Sequence, residues 1–424
     1  MIIWCVLFPL DYYGFRRLRL LITIVIIAAY AVFTGLSPSV VRASIMTTFT
    51  FAEFLFFRRN TSLNTLLIAA LIILIFSPFS LFEVGFQLSF CTVAAILLIV
   101  PKLREIVNPK NRILNYILSS IWVSLAAMIS TSAITAYYFH SIPLLAFVTN
   151  LIILPALPVI MVVYIIYVVI LIAFGEFSIF TAAIDGSYQV IYHIVSFVSG
   201  LGISHIDSVY ISLANTFIYL AMVAVFCLWL YFRRRHLIYI MASLAAAMVI
   251  IAAQHIIFVP RQGLFILNDF RCTPVFYFHQ HKGYLWVLDE EPDAYEFESR
   301  HKGMLAYYGI SQIDVISADT VNIADGSKII SPFASIAGKN MVIINDNKWK
   351  KIRFDNPVDV DYVIVTKRYH SSFKNFEQLF GKGKIVLSGD IYIKQHQIMQ
   401  NELTELAIPY YSVKDSGALT MILE

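Results

Sequence analysis

Residues able to do chemistry are sparse in the first half of this chain, and five of them stand among apolar neighbours: Arg42, Glu83, Gln87, His140 and Asn150. A cation inside an apolar helix is costly. It faces a partner or a wet cavity, or it lies near a helix end and snorkels to the headgroups. Glu53 and Glu83 are the candidate partners of Arg42. Glu83 and Gln87 stand four apart, so on a helix they share a face. With Ser80 they either line a polar path or fix helix packing through hydrogen bonds, and His140 and Asn150 carry the same pair of readings. Phe86, Phe90 and the run Tyr137-Tyr138-Phe139 offer aromatic faces, although most aromatics in an apolar chain face lipid or form interfacial belts.

The second half offers less. A metal hydrolase needs clustered His and Asp at ligand spacing. The sole His-x-His is His279-Gln280-His281, which is expected to alternate along a strand and project from one face. His301, His370 and His396 are single. There is no Gly-rich phosphate loop, no G-x-S-x-G and no H-E-x-x-H. The cysteines (Cys5, Cys91, Cys227, Cys272) show no metal or redox spacing, and Cys272 is alone in its region. The expectation is a chain without a metal, a cofactor or a catalytic residue.

The elements that must hold these residues follow from composition. Of 424 residues, 59% are hydrophobic and 14% charged, against roughly 25% charged in soluble domains. A mean hydropathy of +0.75 excludes an ordinary cytosolic enzyme. Residues 1–258 hold 13 Lys/Arg and 7 Asp/Glu, against 18 and 20 in 259–424. The break predicts a multi-pass membrane domain over 1–258 and a soluble α/β domain over 259–424. Predicted spans are Leu20–Gly35, Leu63–Phe76, Phe86–Val100, Ile113–Ala136, Phe147–Phe174, Val209–Tyr231 and Leu237–Phe258, with Pro38–Phe57 weaker and Ile179–Leu201 amphipathic enough to lie along the interface. Met1–Leu10 is too short to span and lacks the features of a signal peptide, so it reads as the stump of a segment. Pro155 and Pro158 make Ser141–Pro158 a candidate kinked or re-entrant element. Basic clusters at Arg16–Arg19, Arg58–Arg59, Lys102–Arg112 and Arg233–Arg235 are expected on the cytoplasmic side, which places the soluble domain outside.

Three motifs carry a family resemblance. Thr34-Gly35-Leu36-Ser37-Pro38 with Arg42-Ala43 and Met46 resembles the T-G-x-S…R-A-x-x-M stretch of the ComEC competence family. Ser77-Pro78 with Glu83-Val84-Gly85-Phe86-Gln87-Leu88-Ser89-Phe90 resembles its D/E-V-G-F-Q-L-S-F segment, and Tyr138-Phe139-His140-Ser141-Ile142-Pro143 with Asn150 and Pro155 resembles its third motif. Gly35, Pro38, Gly85, Pro143 and Pro155 are the structural positions of these motifs. Tyr307–Ser317 resembles the approach to the H-x-H-x-D-H motif of a metallo-β-lactamase-like domain, but Ala318-Asp319-Thr320 stands where its histidines would follow, and Asp361–Thr366 resembles a later core strand of that domain.

The resemblance implies an inner-membrane channel subunit for single-stranded DNA, with Arg42, Glu83, Gln87, His140 and Asn150 along the path. Glu83 would repel phosphate there, so it is expected to be paired or protonated. The tail is expected to be a degenerate metallo-β-lactamase-like fold without hydrolytic activity, since a nuclease needs metal to activate water. Implied partners are membrane lipid, a cytoplasmic motor ATPase and outer DNA-receptor proteins, with a homo-oligomer left open. Family members carry an OB-like domain and further helices ahead of the first motif, so the chain is expected to be a shortened or split member. The competing readings are a membrane-anchored metal-dependent hydrolase with an extracytoplasmic site and a non-catalytic membrane scaffold.

Overall fold

The computed structural model describes residues 16–55, 62–107, 109, 111–175, 178–201, 204–269, 275–287, 294–316, 321–323, 326–350, 352, 356–374 and 376–423. The segment Met1–Leu10, Cys5, the Arg58–Arg59 cluster, Lys110, Cys272 and Ala318-Asp319-Thr320 lie outside them. The chain divides into two units, one up to Ala253 and one from Gln254.

The first unit is a run of helices in hairpins: α1 (Arg16–Phe33), α2 (Pro38–Leu55), α3 (Ser62–Phe76), α4 (Val84–Ile106), α5 (Arg112–Phe139), α6 (Ala146–Phe174), α7 (Ser178–Ser199), α8 (Leu213–Phe232) and α9 (Arg235–Phe258). Among the described residues, Val84–Ile106, Leu114–Phe139, Leu213–Phe232 and Arg235–Phe258 are long and apolar enough to cross a membrane. The first motif is the turn between α1 and α2. Thr34 Oγ1 donates to the carbonyls of Tyr30 (3.0 Å) and Ala31 (3.1 Å), sealing the end of α1. Gly35 (φ 71°) and Leu36 (φ 54°) reverse the chain in the left-handed region, where glycine carries no steric penalty. Pro38 then opens α2, where a missing N–H leaves nothing unpaired.

The helical core forms where α4, α5 and α8 meet: Ala95, Ile99, Val100, Ala126, Cys227 and Leu230 are buried together. Alanine at two of these positions lets helices approach closely. Tyr219 of α8 donates its hydroxyl to the Ile129 carbonyl (2.9 Å) and lies 2.9 Å from Ser132 Oγ. By contrast, no residue of α9 is buried.

Two expectations change here. Ser141–Pro158 is not re-entrant. A three-residue strand β1 (Ser141–Pro143) pairs antiparallel with β2 (His205–Asp207), and α6 then runs unbroken past both proline positions. The amphipathic segment forms a 22-residue helix, α7, packed as a hairpin on α6. The second change concerns His279 and His281. They do not share a strand face, because the chain turns between them: His279 ends its strand opposite Lys282, and Gln280 (φ 57°) and His281 form the two-residue turn.

The second unit is built of β3 (Gln262–Ile266), β4 (Val275–His279), β5 (Lys282–Trp286), α10 (Ala294–Tyr308), β6 (Gln312–Ile316), β7 (Val321–Asn322), β8 (Lys328–Ile330), β9 (Phe333–Ile336), β10 (Lys339–Ile344), β11 (Tyr362–Val365), α11 (Phe376–Phe380), β12 (Lys384–Leu387), α12 (Ile393–Glu405), β13 (Tyr410–Ser412), α13 (Val413–Ser416) and β14 (Leu419–Leu423). They form sheets ordered β14-β3-β4-β5-β6 and β13-β12-β11-β10-β9-β8-β7. Period-two alternation sorts their side chains into layers. Leu264, Ile266 and Tyr277 of one sheet meet Met341, Ile343, Ile364 and Val386 of the other in a shared core. The intervening residues face away. Phe265, Phe276 and Phe278 cover α10, while Val342, Val363 and Ile385 cover α11 and α12. The layer order is helix, sheet, sheet, helix.

A polar staple closes the edge of the larger sheet. His396 of α12 is buried, with Nε2 2.9 Å from Ser412 Oγ, and that hydroxyl donates to Asp415 Oδ2 at 2.8 Å. Burial pushes the His396 pKa below its ordinary 6.5, opposed by the Asp415 carboxylate. The Ser412 hydrogen bond holds Asp415 below the usual carboxylate range. A histidine whose charged form is disfavoured on folding stabilises the native state above about pH 6.5, and that contribution is lost as the pH falls below it. Thermal melts of the full chain should therefore fall between about pH 7.5 and 5.5, and His396→Gln should flatten that dependence. An unchanged slope would refute the assignment.

Candidate functional site

The described structure brings the first two motifs together. Arg42 lies in the second turn of α2 and is 8% exposed. Its Nη1 is 4.0 Å from Glu83 Oε2. Its Nη2 lies 3.0 Å from the point a Cβ on Gly85 would occupy. A small residue is favoured there because the guanidinium rests against the first turn of α4. This side chain does not snorkel outward. Its carboxylate partner is Glu83; the Glu53 side chain lies outside the described ones.

Glu83 is the residue before α4, extended at φ −72°, and its carboxylate does not cap the helix. Oε1 instead accepts from Ser80 Oγ at 3.3 Å, and the same Ser80 oxygen lies 3.1 Å from Ser77 Oγ. Its position before the first turn still puts negative charge at the positive end of the helix dipole. The Gln87 side chain makes no hydrogen bond to the Glu83 carboxylate among the described residues. Its Nε2 donates back to the Leu81 carbonyl (3.1 Å), tying α4 to the 3-10 turn Pro78–Phe82. Ser77, Ser80, Glu83 and Gln87 thus form one chain of hydrogen-bonded residues that shapes the turn, and Arg42 docks on it. Arg42 Nε is buried and has no partner among the described residues.

The third motif forms a separate group. His140 ends α5 at φ 52°; its carbonyl accepts from Val209 N (3.1 Å), and its Nδ1 is buried without a partner among the described residues. Pro143 stands opposite His205 in the β1–β2 ribbon. Asn150 is in the second turn of α6, and Pro155 lies farther along it. No hydrogen bond or ion pair among the described residues links this group to Arg42 and Glu83. Because α4 and α5 form a hairpin, the start of α4 and the end of α5 share one end of the bundle.

The ribbon carries a polar cluster that sequence reasoning missed. His205 Nδ1 is 2.6 Å from Ser204 Oγ, and its Nε2 is 2.7 Å from Asp207 Oδ2. The order resembles a nucleophile, base and acid. However, the Ser204 hydroxyl donates to the Ser199 carbonyl at 2.9 Å, so its proton is committed to the backbone. A general base would need a bare nitrogen at the hydroxyl. The cluster therefore locks the ribbon. Its sequence signal was Ser-His-x-Asp between two apolar helices.

In the second unit, no group of three or more His, Cys, Asp or Glu residues among the described ones is placed to hold a metal ion.

The family profile described as "Competence protein" matches residues 1–234, more than half of the chain. The chain belongs to this competence family. A second profile, "ComEC C-terminal domain", matches 264–423. "ComE operon protein 3" of Bacillus subtilis (strain 168) is 26% identical over 140 residues, which is 33% of this chain and 17% of that relative. No solved structure matches significantly.

The packing at Gly85 makes a graded prediction. In Gly85→Ala the guanidinium must give by a few tenths of an ångström, and Ala's helix preference of about 1 kcal/mol offsets the cost. Gly85→Leu cannot be absorbed that way and should destabilise by about 1–3 kcal/mol, as overpacking does. Unfolding in detergent micelles measures both; equal effects would refute the docking geometry.

Proposed function

We propose that this chain is a subunit of a cytoplasmic-membrane channel that takes up single-stranded DNA during transformation. The family membership supports this reading, and the Arg42–Glu83 pair is the observation that carries it. A carboxylate on the path of a polyanion must be neutralised, and Glu83 has a guanidinium beside it. The pair is loose at 4.0 Å, and Arg42 keeps a buried N–H without a partner among the described residues. A guanidinium so placed can exchange its carboxylate for a passing phosphate, which it binds through two parallel N–H donors.

The proposed topology has the basic segments in the cytoplasm. The clusters at Lys102–Arg112 and Arg233–Arg235 are then joined by four crossings, α5 to α8, which returns the chain to the same side as the positive-inside rule requires. The turn at Gly35, the Ser77–Glu83 turn and the β1–β2 ribbon then face outward, so all three motifs meet DNA at the outer mouth. The second unit follows α9 to the outside. Its helix-sheet-sheet-helix layering supports a metallo-β-lactamase-like fold that has lost its metal ligands and serves assembly or DNA holding rather than hydrolysis. Work against the gradient is assigned to a cytoplasmic motor ATPase, and delivery of DNA to outer receptor proteins. The first unit's membrane lipid contacts follow from its apolar surface.

In a naturally competent host, Arg42→Ala should lower transformation by tenfold or more at unchanged membrane abundance, with Arg42→Lys in between because it keeps the charge and loses the fork. Full uptake by Arg42→Ala would overturn the channel reading. For topology, Ser416→Cys, exposed in the second unit, should react with a membrane-impermeant maleimide in intact cells. Reaction only after lysis would put that unit inside.

A further inference from the structure

At the opposite end of the helical unit from Arg42, a groove of about 390 Å³ runs along one face of α5. Its walls include Arg104 from the last turn of α4 and Arg112, Asn115, Tyr116, Ser119 and Ser120 from α5, with Val123 at its inner end. The α5 positions recur at three and four residues, so they form one stripe of the helix. Both arginines are exposed and neither has a carboxylate partner among the described residues. The acid next to Arg104, Glu105, is held instead by Lys102 at 2.8 Å.

The order of groups along the stripe identifies the ligand. Two guanidiniums come first, then an amide, a phenol and two hydroxyls, then an apolar side chain. From Arg112 to Val123 this descent covers about 16 Å of helix, on a segment long and apolar enough to cross a membrane. An anionic glycerophospholipid presents the same order: phosphate, glycerol and ester oxygens, then acyl chain. A free phosphate would use only the outer end. A nucleic-acid strand carries charge along its whole length and has no use for the apolar end. Arginine holds phosphate through paired N–H donors, and basic pockets between membrane helices suit anionic headgroups.

We propose that this groove is a binding site for an anionic glycerophospholipid, seated with its phosphate between Arg104 and Arg112. The inference rests on α5 crossing the membrane and is independent of what the channel carries.

The full chain, reconstituted in phosphatidylcholine nanodiscs doped with phosphatidylglycerol, provides the test through native mass spectrometry of the lipid retained on release. Phosphatidylglycerol should be retained at least tenfold over phosphatidylcholine. The double variant Arg104→Gln/Arg112→Gln should abolish that preference, and Arg104→Lys/Arg112→Lys should keep part of it. Ser119→Leu, which fills the groove and leaves the charges alone, should also reduce it. Arg234→Gln/Arg235→Gln removes equal charge from another exposed segment and should change nothing. The proposal is overturned if that control falls equally, if Ser119→Leu retains full preference, or if glycerol 3-phosphate or an oligothymidylate displaces the lipid at equal concentration.

Discussion

A cation held away from water between two apolar helices constrains the rest of the helical unit. The Arg42 guanidinium is largely shielded from solvent, so the chain must bring it a carboxylate, a flat place to lie and a fixed approach angle. Glu83 supplies the first, Gly85 the second and the Gly35–Pro38 turn the third. Each of the first two motifs is therefore one half of a single interaction. Their glycines serve different ends: Gly35 supplies a left-handed backbone, whereas Gly85 supplies empty space for a side chain from another helix.

The pairing also reconciles two demands that conflict. Under the proposed channel reading, a path for a polyanion should carry no bare negative charge, yet a buried arginine needs a partner. A loose pair in which the carboxylate is half exposed meets both. It neutralises Glu83 without a tight desolvated bridge, whose loss of solvation would rival its Coulomb attraction. Gln87 and Ser80 bond locally and hold the turn on which the pair rests, so they position the site without lining it.

The second unit shows the same economy in a different form. Its two sheets have alternate residues on opposite faces, and both faces are apolar because each sheet is covered on both sides. That leaves polar chemistry at the edges and turns. His396, Ser412 and Asp415 staple one such edge, and the Gln280-His281 turn takes up what looked in sequence like a pair of strand ligands. Histidine spacing alone does not distinguish two positions on one strand from two sides of a hairpin turn.

Composition and periodicity by themselves determined the two-part organisation, the apolar helices and most strands of the two sheets, because burial in lipid or between layers imposes runs that can be counted along one chain. The strand at Tyr362–Val365, inside the Asp361–Thr366 segment, was legible for that reason. The short strands at Val321–Asn322, Lys328–Ile330 and Tyr410–Ser412 were not, since two or three residues carry no period. The motif residues were visible as polar groups among apolar ones, but their roles were not. Whether Arg42 met Glu53 or Glu83, whether Gln87 faced a helix or its own turn, and whether His205 joined Ser204 and Asp207 depended on which helix ends came to lie side by side. Only the tertiary structure decides such contacts, because they join residues far apart in the chain through packing that no local pattern encodes.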